Sequence, residues 1–334
     1  MALDKSYIDL FQIVTSKAAF AASKFIGKND KVSADKAAVD VMRNEINKLN
    51  IDGRIVIGEG ELDNAPMLYI GEKLGNRKGQ KLDIAVDPVE GTNFVAKNLP
   101  GGLSVLALSE KGNLFNAPET YMNKIAVGKN IDKDAIDIDY DLKKNLNNLA
   151  ECKNKNITDL TICLLDRPRH AKIIELLDEL NVKKKLITDG DVSGALLVTN
   201  EKFNVDMFIG IGGGPEGVLA ASALDAYDCF FQGRFLFDNE NDIKRANKMG
   251  IKDLKKKYNL KEIVSGDSIF VATGITDGDL MSGIKEEKNH YISETLVTHK
   301  NSKIAEVRIS KDLITWLYHS FTIKDQFLVP SSIG

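Results

Sequence analysis

Apolar residues recur every three or four positions from Ile8 through Phe11, Val14, Ala18 and Ala22 to Phe25, a spacing that predicts a helix with one buried stripe. A second stripe, Ala38, Met42, Ile46 and Leu49, predicts another helix, with Ser33 as its N-cap. Both stop at turn signals, Gly27 and Asp52-Gly53. Short apolar runs at 55–57, 82–86 and 104–108 then predict strands, and Glu110-Lys111-Gly112-Asn113 predicts a hairpin turn into Leu114 and Phe115. A polar, acidic stretch over residues 129–156 holds one helix around Leu142, Leu146 and Leu149. It is the best place for a boundary, giving domains 1–150 and 151–334. Beyond it the pattern alternates: strand 160–165, helix 169–180, strand 185–187, helix 192–198, strand 205–209. This predicts parallel βαβ units and an α/β second half, to which 268–272, 295–298 and 304–309 add strands of open order.

Composition narrows the function. With 334 residues, 43% of them hydrophobic, the chain can bury a large core, and its length favours two domains over one. A net charge of −3 offers no general basic field for nucleic acid, and the lysine runs at 183–185 and 255–257 read as solvated faces. No run approaches the ~18 apolar residues of a membrane helix. The start, Met1-Ala2-Leu3-Asp4-Lys5, lacks the features of a signal peptide. Three cysteines, Cys152, Cys163 and Cys229, in no paired spacing argue against a disulfide framework or a cysteine zinc site. A cytoplasmic protein is expected.

The candidate chemistry lies where the strand at 82–86 ends in Asp87-Pro88-Val89-Glu90-Gly91-Thr92, which presents two carboxylates, a rigid proline, a glycine and a hydroxyl. Taken alone, these residues also make an ordinary turn. The design repeats, however. The run at 55–57 stops at Gly58-Glu59-Gly60-Glu61-Leu62-Asp63, Asp35 stands near the head of the second helix, and Glu216 follows the strand at 205–209. Hard divalent cations take carboxylate oxygens and share their coordination with substrate phosphates, and acids at element ends converge in layered α/β folds. A metal site for phosphate hydrolysis is the result, with Thr92 placed to position water or touch the phosphate.

Other motifs are weighed against this one. Gly212, Gly214 and Gly217 match G-x-G-x-x-G, with Asp238 about 20 residues further on. Gly233 interrupts the intervening segment, and Glu216 inside the loop repels a pyrophosphate unless a cation intervenes. A nucleotide-binding oxidoreductase also leaves Asp35, Glu59 and Asp87 without a role. Arg167-Pro168-Arg169-His170 holds two guanidinium forks on a stiff loop, suited to phosphate, with a solvated loop as the alternative. Asp189-Gly190-Asp191 suits sugar hydroxyls, a metal or a helix cap. The four histidines show no ligand spacing and read as surface or satisfied core.

The motif at residues 87–92 resembles that of the lithium-sensitive phosphatase superfamily, which includes inositol monophosphatases and fructose-1,6-bisphosphatases. Together with the segments 56–61, 65–73, 117–122, 167–170, 189–192 and 210–217, it resembles class II fructose-1,6-bisphosphatase, the bacterial GlpX type, from about Lys31 to about Thr298. The resemblance implies a layered αβαβα sugar-phosphatase fold, mixed α+β and α/β, of two domains with the active site in the cleft between them. It implies hydrolysis of the 1-phosphate of fructose 1,6-bisphosphate in gluconeogenesis, with Mn²⁺ or Mg²⁺, by a homodimer or homotetramer. Carried over by position, Asp35 and Glu59 bind one metal and Asp87, Glu90 and Glu216 the other. Thr92 is implied to activate or orient the water, with Lys31 and Asp63 near that centre. Glu90, Gly91, Thr92, Tyr121, Arg167, Pro168, Arg169, Asp189, Gly190, Asp191 and Gly213 match substrate-binding positions. The family often has Lys where this chain has Arg167, and the stretch 93–102 departs from the pattern, so no function is carried onto it. Sedoheptulose 1,7-bisphosphate and inositol phosphate are the alternative substrates, and the Arg167/Arg169 pair favours a bisphosphate. A non-catalytic sugar-phosphate sensor is a further alternative, against which the intact acidic set counts.

Overall fold

The computed structural model describes residues 3–60, 67–132 and 134–314. The first stripe folds as α1 (Ser6–Ser23), burying Ile8, Phe11, Val14, Ala18 and Ala22, and the second as α2 (Lys31–Asn47), burying Ala38, Met42 and Ile46. The N-cap of α2 is Asp30, whose carboxylate accepts from the Ser33 N–H at 2.9 Å; Ser33 therefore lies inside the first turn and does not cap it. An anionic cap satisfies the same orphan donor and also complements the helix dipole.

Strands β1 (Ile51–Ile57), β2 (Lys73–Leu74), β3 (Gln80–Glu90) and β4 (Leu103–Glu110) follow, with α3 (Thr92–Lys97) between the last two. The expected hairpin after β4 does not form. Leu114 makes an isolated bridge to Val264, and the Phe115 N–H donates to the Ile263 carbonyl at 2.9 Å, because the Phe115 ring packs 5.5 Å from Phe235 and 4.8 Å from Tyr258. The chain continues through β5 (Tyr121–Val127), α4 (Leu142–Cys152), β6 (Thr161–Leu165), α5 (Ala171–Glu179), β7 (Lys183–Ile187), α6 (Asp191–Leu196), β8 (Met207–Gly213) and α7 (Gly214–Ala226). It ends with β9 (Phe230–Phe235), α8 (Glu240–Lys248), β10 (Tyr258–Asn259), α9 (Leu260–Ile263), β11 (Ser268–Gly274), β12 (Lys285–Glu287), β13 (His290–His299) and β14 (Ile304–Leu313).

Among the described residues, one sheet runs β12-β13-β11-β4-β3-β1-β2, with β14 also paired to β13; the other runs β10-β9-β5-β8-β6-β7. The parallel expectation holds for β6 with β7 and β8, whereas β5 and β9 join antiparallel, so the second sheet is mixed. A cut at residue 150 does not separate the sheets, because β11 to β14 return to the first. The lysine run 183–185 lies on the edge strand β7, where charge discourages pairing with another chain, and its members pair with Asp159, Asp178 and Asp279.

Side-chain alternation sorts the strands into layers. Ile84, Val86, Ile269 and Val271 join α1 and α2 in one core; Ala85, Phe270 and Ala272 join Val218, Leu219, Met122 and Phe208 in a second; Ile125, Ile162 and Leu164 join Leu146, Leu149 and Leu177 in a third. The order is therefore helix, sheet, helix, sheet, helix, an αβαβα sandwich. Helices α6 and α7 share the central layer, and α7 is buried from Gly217 through Asp225, as its apolar circumference requires.

His170 is a satisfied core histidine. Its Nδ1 lies 2.7 Å from the Leu165 carbonyl, and its Nε2 accepts from the Ile211 N–H at 2.7 Å, which requires the neutral ring. Burial pushes its pKa below the ordinary 6.5. Its contribution is thus complete above 6.5 and is lost as pH falls through the depressed folded value. In urea titrations from pH 7.5 to 5, wild type should lose stability relative to His170→Gln; parallel curves would contradict this.

Candidate active site

The strand register explains how the acids meet. β3 and β4 pair from Leu82 with Glu110 to Asp87 with Val105, then resume at Glu90 with Leu103, so three steps on β3 match two on β4. The extra residue is a β-bulge at Pro88-Val89, a position that tolerates the missing proline N–H. In a regular strand Asp87 and Glu90 point to opposite faces; here both line the same cleft. Gly91 follows at φ 77° as the N-cap of α3, and a Cβ there would stand 2.6 Å from the Phe94 ring, so glycine is required on both counts. β1 has its own register shift between Ile55 and Ile57, just before Glu59.

The cleft encloses about 810 Å³ of empty space open to solvent and is lined by Asp35, Glu59, Asp87, Glu90, Glu119, Asp189 and Glu216, with Thr92, Gly91 and Pro215. No lysine, arginine or histidine is among its described lining residues. Asp35 and Glu59 share a hydrogen bond, as do Asp87 and Glu90. Burial, reinforced by Asp35, pushes Glu59 up to about 8. Burial likewise raises Asp35, Asp87, Glu90 and Glu216, with neighbouring acids adding to the rise at Asp87, Glu90 and Glu216. Among the described residues, no three acids already stand in an ion-coordinating arrangement; they stand as carboxyl–carboxyl pairs. Glu90 is also tied across the cleft, its Oε1 accepting from the Val192 N–H at 2.7 Å.

A second group gathers beside the cleft. Tyr121 and Gly213 face each other across β5 and β8, the Arg169 guanidinium lies 4.9 Å from the Tyr121 ring centre, and Arg169 Nε donates to the Ile211 carbonyl at 2.8 Å. Pro168 opens the short helical turn carrying Arg169, and an Arg167 terminal nitrogen lies 4.0 Å from Asp189 Oδ1. Gly190, at φ 84°, caps α6. Asp191 is buried in an ion pair with Lys124, whose Nζ also donates to the Gly213 carbonyl at 2.8 Å; Asp191 Oδ1 has no hydrogen-bond partner among the described residues. Lys31 stands exposed at the first position of α2, outside the cleft lining, and Asp63 lies outside the described residues.

Sequence reasoning missed Glu119 and Lys124. Glu119 carried a weaker signal, an acid just ahead of β5, whereas Glu59, Asp87, Glu90 and Glu216 lie near or after the ends of their strands. Lys124 is a lone cation in the run Lys124-Ile125-Ala126-Val127, and its burial marks it only in three dimensions.

The layer order and the carboxylate-rich cleft are those of a layered α/β sugar-phosphatase fold, and the family match gives the class, a phosphatase. Residues 5–311 match the family described as bacterial fructose-1,6-bisphosphatase, glpX-encoded, and the chain belongs to that family. The Escherichia coli (strain K12) protein named fructose-1,6-bisphosphatase 1 class 2 is 43% identical over 307 residues, covering 88% of this chain and 91% of its own. A Trichodesmium erythraeum (strain IMS101) protein named D-fructose 1,6-bisphosphatase class 2/sedoheptulose 1,7-bisphosphatase is 40% identical over 317 residues, covering 87% and 92%. Among solved structures, a Thermotoga maritima IMPase reaches a TM-score of 0.35 at 12% identity over 60% of this chain and 79% of its own, a likeness too slight to bear on the site. No helix among the described residues is long and apolar enough to cross a membrane.

Proposed function

We propose that the cleft hydrolyses the 1-phosphate of fructose 1,6-bisphosphate, releasing fructose 6-phosphate and phosphate, with Mn²⁺ or Mg²⁺ held by Asp35 and Glu59 on one side and by Asp87, Glu90 and Glu216 on the other. The observation that carries this is the concentration of carboxylates in one cleft with no lysine, arginine or histidine among its described lining residues. Their oxygen-only donor set fits hard divalent ions, and acids that otherwise share protons in pairs are the groups a cation would relieve. Such ions, when bound, make a water acidic enough to attack and offset the charge on the phosphate.

The chain's own residues supply the rest. The Thr92 hydroxyl, at the start of α3, orients the attacking water; Lys31 and Asp63 are helpers by the family resemblance alone, since Lys31 stands exposed outside the cleft lining and Asp63 lies outside the described residues. The forks of Arg167 and Arg169 hold the second phosphate, and the Tyr121 ring keeps Arg169 in place. Asp191 Oδ1, buried and without a partner among the described residues, accepts from a sugar hydroxyl. Gly91, Gly190 and Gly213 let backbone approach the substrate closely, and Pro168 stiffens the arginine loop. The reading includes a cytoplasmic homodimer or homotetramer acting in gluconeogenesis, and its support is the family membership.

The test is phosphate release from fructose 1,6-bisphosphate after chelation and again with Mn²⁺ or Mg²⁺ restored. Turnover that vanishes and returns is expected; none with either ion would sink the reading. The Trichodesmium relative's name favours a second substrate, so sedoheptulose 1,7-bisphosphate belongs in the same assay.

A further inference from the structure

We infer that Asn93, the first residue of the stretch without an assigned role, is a positioning residue: it holds the Asp189 carboxylate away from Arg167 and so keeps the arginine fork open for phosphate. Asp189 Oδ2 accepts two bonds from Asn93, one from its backbone N–H at 3.3 Å and one from its side-chain Nδ2 at 3.1 Å. The other oxygen, Oδ1, is 4.0 Å from the nearest Arg167 nitrogen, beyond hydrogen-bond range. An aspartate this near a guanidinium, with its side chain 25% exposed, is within reach of a bidentate pair, a closure that a restraint on the carboxylate prevents. Asn93 is that restraint. Among the described residues the Arg167 side chain donates one hydrogen bond, from Nη1 to the Asp166 carbonyl at 3.2 Å, which leaves its remaining donors for a ligand.

The same contact sets the cleft's width. Asn93 to Asp189 and Glu90 to Val192 stitch the reaction segment to the head of α6 in antiparallel sense. Phe94 lies beneath both turns, since a Cβ on Gly91 or Gly190 would meet its ring at 2.6 or 3.0 Å. Asn93 thus fixes how far the phosphate grip stands from Thr92.

This inference rests on the proposed function, and its test separates the two. With the metal-loaded full chain and fructose 1,6-bisphosphate, Asn93→Ala should raise KM about tenfold or more, the scale of a lost hydrogen bond to a charged group, and lower kcat less than about threefold. Asn93→Asp, which places a like charge against Asp189, should raise KM further. In an Asp189→Ala background, Asn93→Ala should add nothing, because the residue acts only through that carboxylate. Crystal structures should show the Arg167–Asp189 gap closing from 4.0 Å to hydrogen-bond distance in Asn93→Ala. An unchanged KM, additivity with Asp189→Ala, or a gap that stays open would each overturn the inference. Wild type that releases no phosphate would overturn the function instead, and the closing of the gap would still decide the role of Asn93.

Discussion

Thr92→Ala is expected to lower kcat for phosphate release by roughly 10²–10⁴-fold, the range for loss of a group that positions or transfers a proton in the transition state. KM should change little, because the proposed function gives the substrate's grip to Arg167, Arg169 and Asp189. Thr92 starts α3 one residue past the left-handed Gly91, so the bulged strand end places it on the wall of the cleft that Asp87 and Glu90 also line. Thr92→Ser keeps the hydroxyl and should keep most of the turnover. The fold should tolerate both, since Thr92 is half-buried on a short helix, and thermal unfolding should move by less than about 0.5 kcal/mol. Full turnover in Thr92→Ala would remove the hydroxyl from the reaction. It would leave water orientation to Asp63 or to the metal-bound carboxylates.

Lys124→Met is expected to cost about 3–5 kcal/mol of stability, because it leaves the Asp191 charge buried without its partner. The pair is well sealed, Lys124 being 1% and Asp191 7% exposed, so solvent does little to screen it. Typical domains have only about 5–15 kcal/mol in hand, so the variant should unfold at a far lower urea concentration. Lys124→Met with Asp191→Asn removes both charges and should recover part of the loss, since an uncompensated ion costs more than a neutral pair. A loss below about 1 kcal/mol in the single variant would mean that the buried pair relaxes toward water. Activity should suffer as well, because Lys124 also holds the Gly213 carbonyl and opposes the burial that raises Glu216.

The helices and most strands were legible in the sequence because their signal is local. The stripe from Ile8 to Ala22 and the run at 82–86 need only periodicity to declare a buried face, and both fold as expected. Alternation along the second half likewise foretold β6, β7 and β8 as a parallel set. The acids at 35, 59, 87, 90 and 216 could be picked out because each sits at the end of an element, where layered folds place their ligands.

What the chain alone left open depends on contacts far apart in sequence. Ser33 and Asp30 are both good caps, and only the observed bond to the Ser33 N–H decides between them. The hairpin after β4 was a sound local expectation that lost to aromatic packing with Phe235 and Tyr258. The sheets draw on strands from residue 51 to residue 313, so a boundary read from a polar stretch could not show β11 to β14 returning to the first. The pairing of Lys124 with Asp191, the tie from Asn93 to Asp189 and the bulge that turns Asp87 and Glu90 to one side are invisible in a string of residues. The sequence by itself determined which groups are available and at which element ends they lie. The tertiary structure decided which charges are buried together, because burial and pairing are properties of distance in space, and chain spacing does not measure them.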